Sequence, residues 1–419
     1  VSISNTGRTI DAIWRIESPK LIAGLTRMVR DVGLAEDLAQ DALVIALERW
    51  PETGIPDNPG AWLMTTAKRR AIDLLRRNKL RDRKYEELTR SAEWYTEEDM
   101  DRQLDGEIGD DLLRLIFMTC HPVLSQDARV ALTLRLLCGL TTDEIARSFL
   151  AAEATIAQRI VRAKRTLSAK KVPFEVPVGE ELKERMAAVL EVIYLMFNEG
   201  YSATAGENWV RPLLCQEALR LGRMLAEIAP AEPEAHGLVA LLEIQSSRLK
   251  TRVGPDGEPI LLMDQNRAKW DQLLIRRGLA ALDRCQQLGK PYGPYALQAA
   301  IAACHAKAMS PGETDWVRIA ALYEALSRAM PSPIVELNRA VAIAMAFGPD
   351  FGLQIVDELN NEPSLSTYHL LPSVRGDLLY KLDRFEEARL EFERAASLTR
   401  NNRERELLLA RASECMDKK

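Results

Sequence analysis

Between Thr155 and Lys171 the chain carries six Lys or Arg and no acid. Within this stretch Ile156, Ile160, Ala163 and Leu167 recur at helical spacing and form one buried stripe. At about 100° per residue the opposite face holds Gln158, Val161, Arg162 and Arg165, flanked by Arg159 and Lys164. Phosphates are held by cations, and base edges are read by forked or amide side chains; Arg and Gln supply both. Just upstream, Thr141 or Thr142 can cap a helix bearing Ile145, Ala146 and Phe149 on one face, with a short turn around Ala151–Ala152 before the basic helix starts near Glu153. Two helices so joined have the geometry of a helix-turn-helix whose second helix enters a major groove. A merely solvated helix would offset its cations with acids at i,i+4, and this one has none.

A second basic segment, AWLMTTAKRRAIDLLRRNKLRDRK (61–84), has nine basic residues and two acids. Leu63, Ala67, Ala71, Leu74 and Leu75 share its apolar face, while Arg69, Arg76 and Arg77 lie roughly opposite with Asp73 among them. Trp62 falls outside the apolar face. It either stacks on an unpaired base beside the cations or packs under the preceding loop. Further upstream, in Gly33–Trp50, Leu38, Ala42, Ile45 and Ala46 give a packing face. Asp37, Gln40, Asp41 and Val44 cluster toward another, a patch suited to a basic helical partner.

The elements that must carry these faces are helices. Leu and Ala abound, aromatics are 6%, and no alternating strand with a hairpin turn is evident, so the expected class is all-α. The net charge of −5 hides a segregation. Residues 1–84 carry 15 basic against 11 acidic side chains, 85–111 carry 2 against 11, 112–175 carry 10 against 5, and 176–419 carry 29 against 34. Two basic blocks joined by an acidic strap point to a polyanion partner for the front of the chain. A first helical block is expected from about Ser18 to Lys84, broken by a loop at Pro51–Gly60, and a second over about Leu112–Lys171. The Pro-rich Val172–Gly179 marks a boundary. In the rear half a spaced pattern recurs: Ile319, Tyr323, Leu326 and Pro331, then Gly352, Val356 and Leu359, then Ala388, Phe392 and Ala395, with a partial copy at Ala218, Leu225 and Pro230. The separations of 33 and 36 residues are those of tetratricopeptide-like (TPR-like) helix pairs. Six scattered Cys without a CxxC pair fit a reducing compartment, and no apolar run is long enough to span a membrane. The expected location is the cytoplasm, with no membrane partner.

Taken in order, the front segments resemble bacterial RNA polymerase sigma factors of the extracytoplasmic-function (ECF) type. AEDLAQDALVIAL is similar to the region that docks on the polymerase clamp helices, GAWLMTTAKRRAIDLLRR to the region that melts and reads the −10 element, and LTTDEIARSFLAAEATIAQRIVRAKRTL to the −35-reading domain. The CHP tripeptide (Cys120–Pro122) and the long helical tail resemble a subgroup with a C-terminal TPR-like domain. The resemblance implies two small helical sigma domains at 10–84 and 112–171, an acidic linker at 85–111, and a TPR-like helical domain at 180–419. It implies core polymerase and promoter DNA as partners, with no cofactor or metal. Asp37, Gln40, Asp41 and Val44 would contact polymerase. Trp62, Lys68, Arg69, Arg70, Asp73, Arg76 and Arg77 would meet the −10 region, where Arg69 stands in place of an Asn common in the family. Thr155, Gln158, Arg159, Val161, Arg162, Lys164 and Arg165 would meet the −35 element.

A helix-turn-helix regulator with a TPR sensor is the main alternative, but it leaves the clamp-like patch unexplained. No catalytic role is expected. The His residues and the adjacent Cys120–His121 and Cys304–His305 pairs suit buried structural roles, since adjacent helical side chains diverge by about 100°. Phe197–Arg211 and Gly254–Asp271 are dense in polar and Gly residues; they are either turns, the favoured reading, or the lining of a small-molecule or peptide pocket. The acidic tail is expected to contact at least one basic block within the same chain and to control activity.

Overall fold

The computed structural model describes residues 3–83, 108–149, 151–202, 205–206, 209–255, 257–416 and 418. Most of the acidic strap, residues 85–107, lies outside the described residues, as does Lys84. The chain divides into two compact units, Val1–Val192 and Ile193–Lys419. Helices dominate both.

The first unit opens with α1 (Ile3–Val29), α2 (Val32–Thr53) and α3 (Pro59–Arg83), which pack on one another. The first helix starts well ahead of Ser18, because Ile10 belongs to the same buried face as Leu21, Ile22 and Leu25. Asp31 caps α2, its carboxylate accepting from the Leu34 N–H at 2.9 Å. Val32, Ala35, Leu38, Ala39, Ala42, Ala46 and Trp50 are buried along α2, the i, i+3, i+4 stripe of a core-facing helix. The expected loop at Pro51 begins three residues later: α2 runs to Thr53, and Gly54 ends it at φ 83°, its N–H donating to the Trp50 carbonyl. Proline at the last turn forfeits one hydrogen bond without blocking the residues before it. Leu63, Ala67 and Ala71 of α3 are buried as expected.

The same unit continues with α4 (Ile108–Thr119), α5 (Gln126–Leu136), α6 (Thr142–Ser148) and α7 (Glu153–Ala169). A capping box starts α6: the Thr141 hydroxyl accepts from the Glu144 N–H at 3.1 Å, and the Glu144 carboxylate accepts from the Thr141 N–H at 2.9 Å. Ile145 and Ala146 of α6 and Ile156, Ile160, Ala163 and Leu167 of α7 are all buried. Helix α8 (Gly179–Tyr201) crosses the division; its Arg185 donates to the Phe117 carbonyl of α4 at 2.7 Å.

The second unit is a succession of helices: α9 (Pro212–Ile228), α10 (Pro233–Ser246), α11 (Gln272–Gln287), α12 (Pro294–Lys307), α13 (Trp316–Ala329), α14 (Pro333–Phe347), α15 (Pro349–Leu359), α16 (Leu370–Lys381), α17 (Phe385–Leu398) and α18 (Asn402–Met416). Neighbours in sequence pack on each other from α9 to α18. Apart from Pro230 and Pro331, which lie just beyond the ends of α9 and α13, the repeated residues fall on α9, α13, α15 and α17, and Ala218, Ile319, Val356, Ala388, Phe392 and Ala395 are fully buried. Small residues set the close approaches. A Cβ at Gly352 would lie 2.7 Å from the Ala340 carbonyl oxygen of α14, and one at Gly376 would lie 2.9 Å from the Phe392 ring. A two-residue parallel pair joins Ala205–Gly206 to Arg400–Asn401. All six cysteines are free, five of them buried. No helix among the described residues is long and apolar enough to cross a membrane.

Candidate nucleic-acid and polymerase interface

The buried stripe of α7 fixes what its other face presents. Thr155, Gln158, Val161, Arg162 and Arg165 are exposed, and Val161 is 44% accessible. The flanking pair behaves differently. Arg159 pairs with Asp127 at the start of α5 at 3.1 Å. Lys164 pairs with Glu36, a residue of α2. So one edge of the basic helix is engaged inside the unit, while its central face is open to solvent.

On α2, Asp37, Asp41 and Val44 are exposed opposite the core stripe, and Gln40 is half-buried, donating to Glu36 at 2.6 Å. Leu47, one turn beyond Val44, is also 44% accessible. It extends the apolar part of the patch, and its i+3 spacing from Val44 was readable in the sequence. On α3, Arg69, Arg70, Asp73, Arg76 and Arg77 are exposed and Lys68 is half-buried. Trp62 is half-buried and meets Trp50 of α2 edge-on, with centroids 5.2 Å apart. Part of that ring is therefore committed to packing, and part remains accessible. Arg70 pairs with Asp41, joining the α3 cations to the α2 carboxylates. Both partners are about half exposed, so the pair contributes no more than about 1 kcal/mol.

Glu36 is the residue that sequence reasoning missed. Its side chain is 3% exposed, and it accepts from Arg135 Nε of α5 at 2.6 Å while also pairing with Lys164 of α7. A carboxylate desolvated this far requires cationic partners. The signal in the sequence was an acid one turn after Val32 on the buried stripe of α2. Arg15 with Glu144, and Arg27 with Asp111 at 3.4 Å, tie α1 to the later helices in the same way. Among the described residues no three His, Cys, Asp or Glu side chains are grouped to hold a metal ion.

Comparison with known proteins assigns the front of the chain. The model for sigma-70 region 2 matches residues 14–81, and that for sigma-70 region 4 matches 114–167. Residues 185–286 match a family of unknown function, DUF6596. A protein of Mycobacterium tuberculosis described as "Probable ECF RNA polymerase sigma factor SigI" is 27% identical over 166 residues, which is 39% of this chain and 56% of that protein. The chain belongs to the ECF sigma factors. This ECF sigma factor also carries a C-terminal extension, and the extension is shared: the "Uncharacterized protein R00370" of Rhizobium meliloti is 44% identical over 384 residues, 91% of this chain and 90% of that one. No solved structure matches. Region 2 encloses the α2 and α3 patches, and region 4 encloses the open face of α7. Sigma regions of these two kinds serve transcription initiation by binding core RNA polymerase and promoter DNA, and families of this kind are not enzymes.

Proposed function

We propose that this ECF sigma factor binds core RNA polymerase through Asp37, Gln40, Asp41 and Val44 of α2 and directs initiation at specific promoters. In this reading the −10 region meets Trp62, Lys68, Arg69, Arg70, Asp73, Arg76 and Arg77, and the −35 element meets the α7 face. The observation that carries it is the open face of α7, with Gln158, Arg162 and Arg165 exposed above a fully buried stripe within the region 4 match. Run-off transcription with purified core polymerase tests it. This protein alone should restore promoter-specific initiation, whereas a helix-turn-helix regulator would need another sigma factor present.

Arg162→Ala is expected to weaken promoter binding by about 1–3 kcal/mol and to relax preference at one position, as loss of a forked contact to guanine does. Competition binding against a set of −35 variants measures both. Equal loss on every sequence would mean that Arg162 touches only phosphate.

Asp37 is the cleaner probe of docking than Asp41, because Asp41 is held by Arg70. Asp37→Lys replaces attraction to a basic partner helix with repulsion. Core polymerase should be retained several-fold less well on the immobilised variant, with no change in its melting temperature. Undiminished retention would remove α2 from the docking surface.

The C-terminal domain is proposed to control activity, by contact with at least one basic block. Charge supports this: residues 176–419 are net negative, while the two sigma blocks are net positive. A truncated version should end at Val192 rather than at the Pro-rich boundary Val172–Gly179, because Arg185 of α8 holds the Phe117 carbonyl and Glu191 pairs with Arg129. Transcription by that version should differ from that of the full chain. Equal activity, together with no binding of the tail in trans, would make the tail a platform for some other protein.

A further inference from the structure

Three arginines of the C-terminal unit lack what its other enclosed arginines have. Arg211 pairs with Glu199, Arg223 with Glu243, Arg375 with Asp357 and Glu391, and Arg411 with Asp377. Arg248, Arg252 and Arg267 have no carboxylate partner among the described residues, although Arg252 is only 9% and Arg267 only 6% exposed. They also stand close enough to repel. Burial first, and then the charge of Arg248, pull the guanidinium pKa of Arg267 down, with Glu313 opposing from beyond ion-pair distance; burial lowers that of Arg252, Tyr201 opposes, and Arg248 adds to the fall. His305 cannot compensate: burial, Arg248 and Arg267 lower it to about 4, so it is neutral.

What surrounds the three is aromatic and amide. The Arg252 guanidinium lies 3.7 Å from the Tyr201 ring centroid and donates to the Tyr201 carbonyl. Arg248 lies 5.5 Å from the same ring and 6.0 Å from Trp270, and Arg267 lies 5.3 Å from Trp270. Arg267 donates to the carbonyls of His305 and Ala308 and to the Thr314 hydroxyl. Ring faces and carbonyls return only part of the cost of desolvating a guanidinium, and they leave net positive charge in place. Donors are also left over. Arg252 Nε, Arg267 Nε and Trp270 Nε1 are buried without a hydrogen-bond partner. Buried donors are nearly always satisfied, so a group of them on cationic side chains calls for an acceptor. The acceptor that matches both charge and donor number is an oxyanion, whose oxygens take charge-assisted bonds from guanidinium and indole N–H.

We propose that the C-terminal unit binds a small molecule through a carboxylate or phosphate group held by Arg248, Arg252 and Arg267, with Tyr201 and Trp270 as flanking rings. The burial of Arg252 and Arg267 restricts the occupant to a small group, since a flat DNA or protein surface cannot reach them. Both polar segments singled out in the sequence contribute, Tyr201 from Phe197–Arg211 and Arg267 and Trp270 from Gly254–Asp271. Either they were turns or they lined a pocket; here they supply one cluster. The inference is independent of promoter recognition, because ligand binding is measured without polymerase or DNA.

The test is thermal melting and titration calorimetry of the full chain in phosphate-free buffer. The probes are inorganic phosphate, pyrophosphate, acetate and citrate, each matched by KCl at equal ionic strength. At least one oxyanion should bind saturably and raise the melting temperature beyond the KCl control, and the preferred probe distinguishes phosphate from carboxylate. Arg252→Gln, with circular dichroism confirming its fold, should bind that probe at least tenfold more weakly. If Arg252→Gln does not fold, the half-buried Arg248→Gln takes its place under the same criterion. No saturable binding of any probe, a shift reproduced by KCl, or unchanged affinity in the folded variant would each overturn the proposal.

Discussion

Replacing Glu36 with alanine is expected to destabilise the N-terminal unit by about 3 kcal/mol, the lower end of the cost of removing one partner from a buried ion pair. The lower end applies because Arg135 and Lys164 retain 23% and 19% side-chain exposure and can turn partly toward water. Glu36 itself is almost fully enclosed and joins three helices, α2, α5 and α7, through these two cations and Gln40. Urea denaturation followed by Trp fluorescence reads the loss, since Trp50 and Trp62 sit at the α2–α3 contact. Glu36→Gln should fall between wild type and alanine, because the amide oxygen still accepts while the charge is gone. A change below about 0.5 kcal/mol, the size of an ordinary surface substitution, would show that the cluster contributes nothing to holding α7 against α2. Beyond stability, the variant frees Lys164. If Glu36 holds that edge of the basic helix away from phosphate, binding to short −35 duplexes should strengthen as it weakens the fold.

Phe392→Ala is expected to cost the C-terminal unit about 3–5 kcal/mol, as deleting a buried aromatic ring generally does. The ring is fully buried and fills the space that Gly376 leaves empty, with a Gly376 Cβ position only 2.9 Å away. The Arg411 guanidinium lies over the ring at 4.4 Å from its centroid, so that contact is lost with it. Leu378, Leu379, Ala388, Ala395, Leu408 and Ala412 belong to the same core. They lie on α16, α17 and α18, whose mutual packing limits collapse into the void. Chemical denaturation of the full chain should show one transition shifted and the other unmoved. If the shift corresponds to less than about 1 kcal/mol, well below the usual cost of such a truncation, α16 and α17 do not meet in solution as described.

Periodicity and capping were legible in the sequence because they are local. The stripe Ile156, Ile160, Ala163 and Leu167 needs only the 3.6-residue turn to be read as buried, and it is buried. A cap at Thr141 or Thr142 was legible from residue type, and the structure selects Thr141, boxed with Glu144; the turn before Glu153 follows from where the two stripes stop. The TPR-like pattern was visible for the same reason: a small residue answered by a large one four positions on describes one helix face, whatever that face meets. Helix ends were less legible, as α1 and α2 show, because a helix continues for as long as tertiary contacts reward its last turn.

The tertiary structure alone decided which charges are spent inside the protein and which remain free for a partner. Helical spacing sets Gln158, Arg162 and Arg165 opposite the stripe with Arg159 and Lys164 on its flanks, but it does not say which of them meets an acid. Asp127 takes Arg159, and Glu36, 128 positions before Lys164 in the chain, takes Lys164, while Arg162 and Arg165 stay exposed. The same holds for Asp41 with Arg70, and for the three arginines of the C-terminal unit that pair with no carboxylate among the described residues. The stripe on a helix is fixed by the backbone within a few residues. An ion pair is fixed by the distance between side chains on different elements, and that distance exists only once the helices have packed.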